Sequence, residues 1–472
     1  MKSNHPPKRT KIVCTLGPAS SSVKTLTQMA IAGLDVVRLN FSHGNYKDFA
    51  TLLENVREAS LIAKKPLAIM QDLQGPKIRI GEMPKDGLKI KREEKIILST
   101  AHKDFVDGKI PVVPVQYKHL HEDVNQHDTI LIEDGMIELK VIQVKGQEIL
   151  CRVMNNGVIK THKGINAPTA SISADPLTAK DLKDLNFGLK NNVDYVAISF
   201  VRRADDIRKL RKLIEKQNSN AKIIAKIERN EAIENLEEII QETDAVMVAR
   251  GDLGVETPAQ NVPIIQKRII EIARLYGKPV IIATQMLQSM ISSPKATRAE
   301  VSDAANAIYE YADAFMLSNE TAVGMYPVEA VQTLTSVARA IEEDLLQQNT
   351  LPSITSNEAL TDEICFIAAK LAKDINAKLI AITDTGFTAK TLAKQRVFQD
   401  IITITNNPKL QKELALFWGL SQIYVHKIQR TNLIPSVKKF LKEAKILKRG
   451  EAAVIVFNVS QTDKFIGTVV ME

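Results

Sequence analysis

Ala221–Ile233 reads AKIIAKIERNEAI, an apolar, strand-like run that ends in Lys226 and Glu228. Side chains two apart on a strand share a face. An ammonium and a carboxylate therefore point to one spot at the strand's end. The carboxylate can hold a metal and the ammonium can meet an oxyanion, a pairing that suits phosphoryl or enolate chemistry. A second run, AVMVARGDLG from Ala245 to Gly254, ends the same way. It offers Asp252 between two glycines, which let a substrate approach the backbone. Neighbouring strands thus deliver carboxylates to one edge.

Six further runs have the same character: KIVCTLG from Lys11, DVVRLN from Asp35, PLAIMQD from Pro66, DYVAISF from Asp194, PVIIATQ from Pro279 and DAFMLSNE from Asp313. Helical patterns such as Asp205–Gln217 and Pro263–Leu275 separate many of them. Eight strand–helix units predict a (β/α)8 TIM barrel with its site at the C-terminal strand ends. Residues 8–74 and 170–344 together give about 240 residues, near the roughly 250 typical of that fold. The stretch between them, 75–169, alternates in short runs such as LKIKREEKIIL and DTILIEDGMIELKVIQV, and reads as an inserted β lid, a β-barrel by the resemblance below. QQNTLPSITSN from Gln347 reads as a linker. Residues 355–472, with AKLIAITDTGFTAKTLAKQ and AAVIVFN, read as a C-terminal α/β domain.

Composition narrows the function classes. A chain of 472 residues is too long for one core, so two or three domains are expected. Cys14, Cys151 and Cys365 lie far apart and fit neither a disulfide framework nor a zinc site, which points to a reducing cytoplasm. No apolar run reaches the length of a membrane helix, and the polar start MKSNHPPKRT lacks the apolar segment of a signal peptide. The net charge of +8 is spread along the chain, with eight tyrosines and one tryptophan for stacking. Anionic small molecules account for it as well as nucleic acid does.

KIVCTLGPAS, VVRLNFSHG, QDLQGPKIRIG, IIAKIERNEAI, VMVARGDLGVE, ATQML, TRAEVSDAANA and SNETAVGMYPVEAV occur in this order. Over nearly its whole length the chain resembles the pyruvate kinase family. The resemblance implies a barrel, an inserted lid, a C-terminal α/β domain and a homotetramer. It also implies phosphoryl transfer from phosphoenolpyruvate to ADP, giving pyruvate and ATP. By the same resemblance Lys226 bridges the moving phosphate and then stabilises the enolate oxygen. Glu228 and Asp252 hold Mg2+, with Mn2+ as a substitute, and a second ion arrives with the nucleotide. The competing reading of Glu228 is an ion pair with Arg229 or Arg250.

Arg38 shares a face with Asn40, and its guanidinium can grip phosphate bidentately; a structural salt bridge is the alternative. The Gly251 amide, beside Arg250, suits a substrate carboxylate, although Gly251 could equally serve only a turn. Thr284 belongs by resemblance to the route that protonates the enolate carbon. Arg79 and Lys163 flank the lid and would meet ADP phosphates. Ser199 and His43 lie at strand ends and only line the site.

Many family members bind K+ through residues matching Asn40, Ser42 and Asp72 and the following carbonyl. Here Leu73, Gln74 and Lys77 resemble the branch that works without K+, with the Lys77 ammonium in the ion's place. Tyr311 and Asn319 stand at usual glycine positions; Asn tolerates left-handed angles, and Tyr311 would bear on subunit packing. The turn holding Thr383, Thr385, Gly386 and Thr388 resembles an effector-phosphate site, with a purely structural turn as its rival. Three other function classes compete. One is another enolate-handling barrel, which needs no inserted lid. The others are a catalytically silent paralogue and a basic nucleic-acid module, which heparin retention would reveal.

Overall fold

The structure is a computed structural model that describes residues 8–348, 359–397, 399–429, 432–458 and 464–471. The expected linker lies mostly outside these residues, as does the start of the polar N-terminal segment.

All eight apolar runs form strands of one closed parallel barrel: Lys11–Thr15, Val36–Asn40, Ala68–Asp72, Tyr195–Ile198, Lys222–Ile227, Ala245–Ala249, Val280–Ala283 and Ala314–Leu317. The insertion does not break it, because Tyr195 pairs with Met70 and Ala197 with Asp72 across the gap. Alternation along each strand sorts side chains into two cores. Val13, Met70, Ile224, Met247 and Ile281 fill the interior, while Ile12, Ile69, Ile223, Val248 and Ile282 pack outward among the helices. Lys226 and Ile224 share the interior face, so the strand that fills the barrel with Ile224 ends by offering an ammonium at its mouth. The helices start where local chemistry lets them. Thr178 with Asp181, and Thr297 with Glu300, form capping boxes before Ala179–Lys190 and Arg298–Tyr309. The anticipated helices appear as Ala204–Lys216 and Val262–Leu275.

The insertion is a β lid. Its six-stranded sheet runs Ile165–Asn166, Thr129–Ile132, Ile137–Lys145, Glu148–Val153, Lys95–Ser99, Val112–Pro114, beside a two-stranded ladder of Leu88–Ile90 and Gly157–Ile159. Ile80, Ile96, Leu98, Ile130, Leu139 and Val153 are fully buried in its separate core.

The C-terminal domain is a five-stranded sheet in the order Gln422–Val425, Ile401–Thr405, Lys378–Ile382, Ala452–Asn458, Lys464–Val470, the last strand antiparallel. It also finishes the barrel floor. Leu416 is fully buried in the barrel's interior cluster, and the Tyr195 hydroxyl donates to the Glu413 carbonyl at 2.6 Å.

Of the two residues at usual glycine positions, Tyr311 has an intrachain account. Tyr311 takes φ 71, the left-handed backbone a glycine adopts freely. The Arg274 guanidinium lies over its ring at 4.7 Å, and Arg396 donates to its carbonyl at 2.6 Å. The first contact is within the barrel, and the second joins it to the C-terminal domain. Asn319 opens the short helix Asn319–Ala322 and is not left-handed, so tolerance of that conformation does not explain the replacement. Cys14, Cys151 and Cys365 are all buried and stand outside any disulfide.

Candidate active site

Five barrel strands contribute to one cluster at the C-terminal mouth. At its centre the Lys226 ammonium lies 2.9 Å from Glu228 Oε1 and 3.4 Å from Asp72 Oδ1, and donates to Ser199 Oγ at 2.8 Å. Burial opposes its charge, but Asp72 and Glu228 outweigh burial, and its pKa stands above the ordinary lysine value. Ser199 in turn donates to the Leu73 carbonyl at 2.8 Å. Sequence reasoning gave Ser199 no task beyond lining. Here its hydroxyl accepts from the Lys226 ammonium and holds it in place, a contact its strand-end position alone does not reveal.

Glu228 is buried and also accepts the Phe200 amide at 2.9 Å. Burial raises its pKa, Lys226 works against that, and Asp252 adds to it. The ion pairs considered for Glu228 do not form. Arg229 binds Glu231 at 3.2 Å and Arg250 binds Asp303 at 2.8 Å. Phe200 has φ 57, and Thr284 and Gln285 have φ 69 and 55. Such backbone strain at non-glycine residues gathers at functional sites.

Asp72, read from sequence as part of a monovalent-cation pocket, stands between the two cations. Its Oδ2 accepts Arg38 Nε at 2.7 Å and lies 2.6 Å from Arg38 Nη2. Burial pushes its pKa up, and Lys226 and Arg38 more than reverse this, leaving it below the usual range. Arg38 Nη1 donates to Thr15 Oγ1 at 2.8 Å. The salt bridge foreseen as the alternative for Arg38 is therefore present, and it sits inside the cluster. Asn40 Oδ1 accepts the Ser42 amide at 3.2 Å. Lys77 makes no hydrogen bond or ion pair with Asn40, Ser42 or Asp72 among the described residues. Its exposed side chain runs beside Gly164 and lines a cleft with Asp252.

The Gly251 amide donates to Thr284 Oγ1 at 2.8 Å, and that hydroxyl donates to the Ala283 carbonyl at 2.6 Å. Gly251 thus offers space beside Asp252 and not the free amide expected of it. In the lid, Arg79 Nη1 donates to the His162 carbonyl at 2.9 Å, and Lys163 pairs with Glu133. His43 is exposed. The turn read from sequence as an effector site lies elsewhere, just after the strand Lys378–Ile382 of the C-terminal sheet. Thr383 Oγ1 accepts the Gly386 amide at 2.9 Å, Thr385 Oγ1 accepts Phe387 N at 3.5 Å, and Gly386 has φ 84. Thr388 is buried with an unpartnered hydroxyl.

Glu228 and Asp252 are hard oxygen donors. Among the described residues no group of three or more His, Cys, Asp or Glu could hold a metal by itself. That donor set fits Mg2+, which binds through one or two carboxylates and completes its shell with substrate oxygens and water.

Two family models match the chain: the pyruvate kinase barrel domain over residues 7–331 and the pyruvate kinase alpha/beta domain over 362–465. The pyruvate kinase of Staphylococcus saprophyticus is 41% identical over 468 residues, covering 97% of this chain and 79% of the relative. That of Geobacillus stearothermophilus is 41% identical over 465 residues, covering 96% and 78%. A crystal structure of a pyruvate kinase from Cryptosporidium parvum superposes with a TM-score of 0.89 at 32% identity, covering 99% of this chain and 97% of the other. With matching models over both main domains, relatives matched over more than three quarters of their length and the same fold in a solved structure, the chain belongs to the pyruvate kinase family and is a phosphotransferase that moves the phosphoryl group of phosphoenolpyruvate to ADP, giving pyruvate and ATP.

Proposed function

We propose that the transfer runs through the cluster centred on Lys226, and the largely enclosed ammonium between the buried carboxylates of Asp72 and Glu228 is the observation that carries this reading. The P–O bond to the enol oxygen of phosphoenolpyruvate breaks as a terminal ADP oxygen bonds to phosphorus. Lys226 neutralises the phosphate as it leaves and then the enolate oxygen it leaves behind. Arg38, oriented by Asp72 and Thr15, contributes a second cation beside it. Glu228 and Asp252 would hold Mg2+, or Mn2+ in its place, which when bound draws charge from the phosphate and enolate oxygens. The enolate carbon then takes a proton through water ordered near Thr284, giving pyruvate. Arg79 and Lys163 would hold the ADP phosphates from the lid, and 75–169 acts as a cover over a catalytic body made of 8–74 and 170–344. For Lys163 this requires release from Glu133.

K+ is not required in this reading, with Lys77 supplying positive charge near the cleft that Asp252 lines. A homotetramer working in the cytoplasm is part of the same proposal. So is a sugar-phosphate effector at Thr383–Thr388, beside a groove of about 310 Å³ that Thr405 and His426 help to line. Coupled assay of pyruvate formation with Mg2+ in sodium-only and potassium buffers is the test. Equal turnover in both is expected; strong activation by K+ would remove the role given to Lys77.

A further inference from the structure

The lid's two connections are held to the barrel by different groups. On the inbound side, Gly75 donates its amide to Asp181 at 3.1 Å. On the outbound side, Asn166 Nδ2 donates to Glu256 Oε1 at 2.8 Å. Asn230 Nδ2 donates to the Glu256 carbonyl at 2.8 Å and to the Pro168 carbonyl at 3.2 Å. The Arg202 guanidinium reaches the Ile172 carbonyl.

Glu256 is 6% exposed, and its second carboxylate oxygen has no hydrogen-bond partner among the described residues. A carboxylate left half-satisfied in the interior costs stability, and this one sits where the lid meets the barrel. It borders a cavity of ≈ 30 Å³ shared with Lys77, Asn166, Phe200 and Asp252, enough for about one water.

Neither Asn166 nor Glu256 reaches the chemistry, but each is rigidly joined to groups that do. Glu256 ends the helix Arg250–Glu256, whose first turn carries Asp252. Asn166 belongs to a ladder in which Ile165 donates to the Ile78 carbonyl, Ile80 donates to the Lys163 carbonyl and Arg79 bridges Gly164. One side-chain hydrogen bond therefore joins the metal-binding helix to the strands bearing Arg79 and Lys163.

We propose that Asn166 and Glu256 form a lid latch, a pair of positioning residues that sets the lid's nucleotide-binding cations at a fixed place relative to Asp252. The proposal rests on the reading of Arg79 as an ADP-phosphate ligand, and the experiment separates the two. Steady-state kinetics are measured for Asn166→Ala, Glu256→Ala, Glu256→Gln and Arg79→Ala. Loss of the bond is expected to raise the KM for ADP about fivefold in both alanine latch variants, with the KM for phosphoenolpyruvate nearly unmoved. Glu256→Gln keeps an oxygen acceptor for Asn166 and stays within about twofold of wild type. Hydrogen exchange supplies a readout that needs no nucleotide. The Ile80 and Ile165 amides exchange faster in Asn166→Ala while Lys222–Ile227 is unchanged. Parallel changes in both KM values, a Glu256→Gln defect equal to that of Glu256→Ala, or unaltered exchange at Ile80 and Ile165 overturns the latch. An Arg79→Ala enzyme with normal ADP kinetics overturns the nucleotide reading, and the exchange data then decide the latch alone.

Discussion

Replacing Lys226 with Met removes the one ammonium that stands between two buried carboxylates while keeping most of the side-chain volume. Asp72 and Glu228 lose a partner at 3.4 and 2.9 Å, and both are almost fully buried. Breaking a buried pair from one side costs about 3–5 kcal/mol. Arg38 still neutralises Asp72, so the larger share falls on Glu228. Glu228 already binds its proton more tightly in the fold than in the unfolded chain, and losing Lys226 strengthens that tendency. The folded variant therefore takes up protons on acidification and recovers stability. Its melting temperature should lie furthest below wild type near pH 8 and approach it toward pH 5. Catalysis should not recover with it. Losing a preorganised charge at the transferring group costs on the order of 10³-fold in kcat. The assay pairs thermal unfolding at several pH values with coupled turnover measured where the variant is fully folded. A folded variant retaining kcat within tenfold of wild type would refute the role given to the ammonium, and a pH-independent loss of stability would refute the role given to Glu228.

Ser199→Ala removes the acceptor that orients Lys226 and leaves the Leu73 carbonyl unpaired. The kcat should fall about tenfold with an unchanged KM for ADP, and an unaltered kcat would show that the two carboxylates suffice. At the barrel floor, burial raises the pKa of Asp194 to about 6, with Lys412 3.9 Å away as partial relief. The fold thus loses stability as pH rises from about 4 to 6 and carries a constant penalty above that. Asp194→Asn keeps an acceptor for the Ile69 amide at 2.8 Å and never charges. It should be more stable at pH 7.5 by about 3 kcal/mol, with the gain vanishing near pH 4, as read from denaturation midpoints. A gain that does not vary with pH would contradict this account.

The barrel was legible because each strand is buried on both faces, so its run is almost unbroken Val, Ile and Ala with polar residues only at the ends. The same pattern exposed Lys226 and Glu228, since a charge two residues from a core position has few places to go. What the pattern hides is partnership. Asp72 ends its strand as plainly as Glu228 does, yet nothing local says that its carboxylate lies between Arg38 and Lys226, residues 34 and 154 positions away. Ser199 and Asn166 are ordinary residues whose importance lies in hydrogen bonds to distant elements. Lys77 was read by resemblance, and its side chain lies by Gly164 with no hydrogen bond or ion pair to Asn40 or Asp72 among the described residues. The Gly251 amide was expected to be free, because a sequence cannot show that the Thr284 hydroxyl already accepts from it.

Leu416 closes the lower mouth of the barrel from a loop 218 positions beyond the strand whose tyrosine it accompanies, counted from Tyr195 to Glu413. An eightfold barrel ordinarily completes its own base; this one borrows a stopper. The catalytic unit and the terminal domain are consequently not interchangeable modules. A graft or truncation that removes the latter uncorks a hydrophobic shaft directly beneath the chemistry, and any tilt between the two bodies must drag on the staves from below.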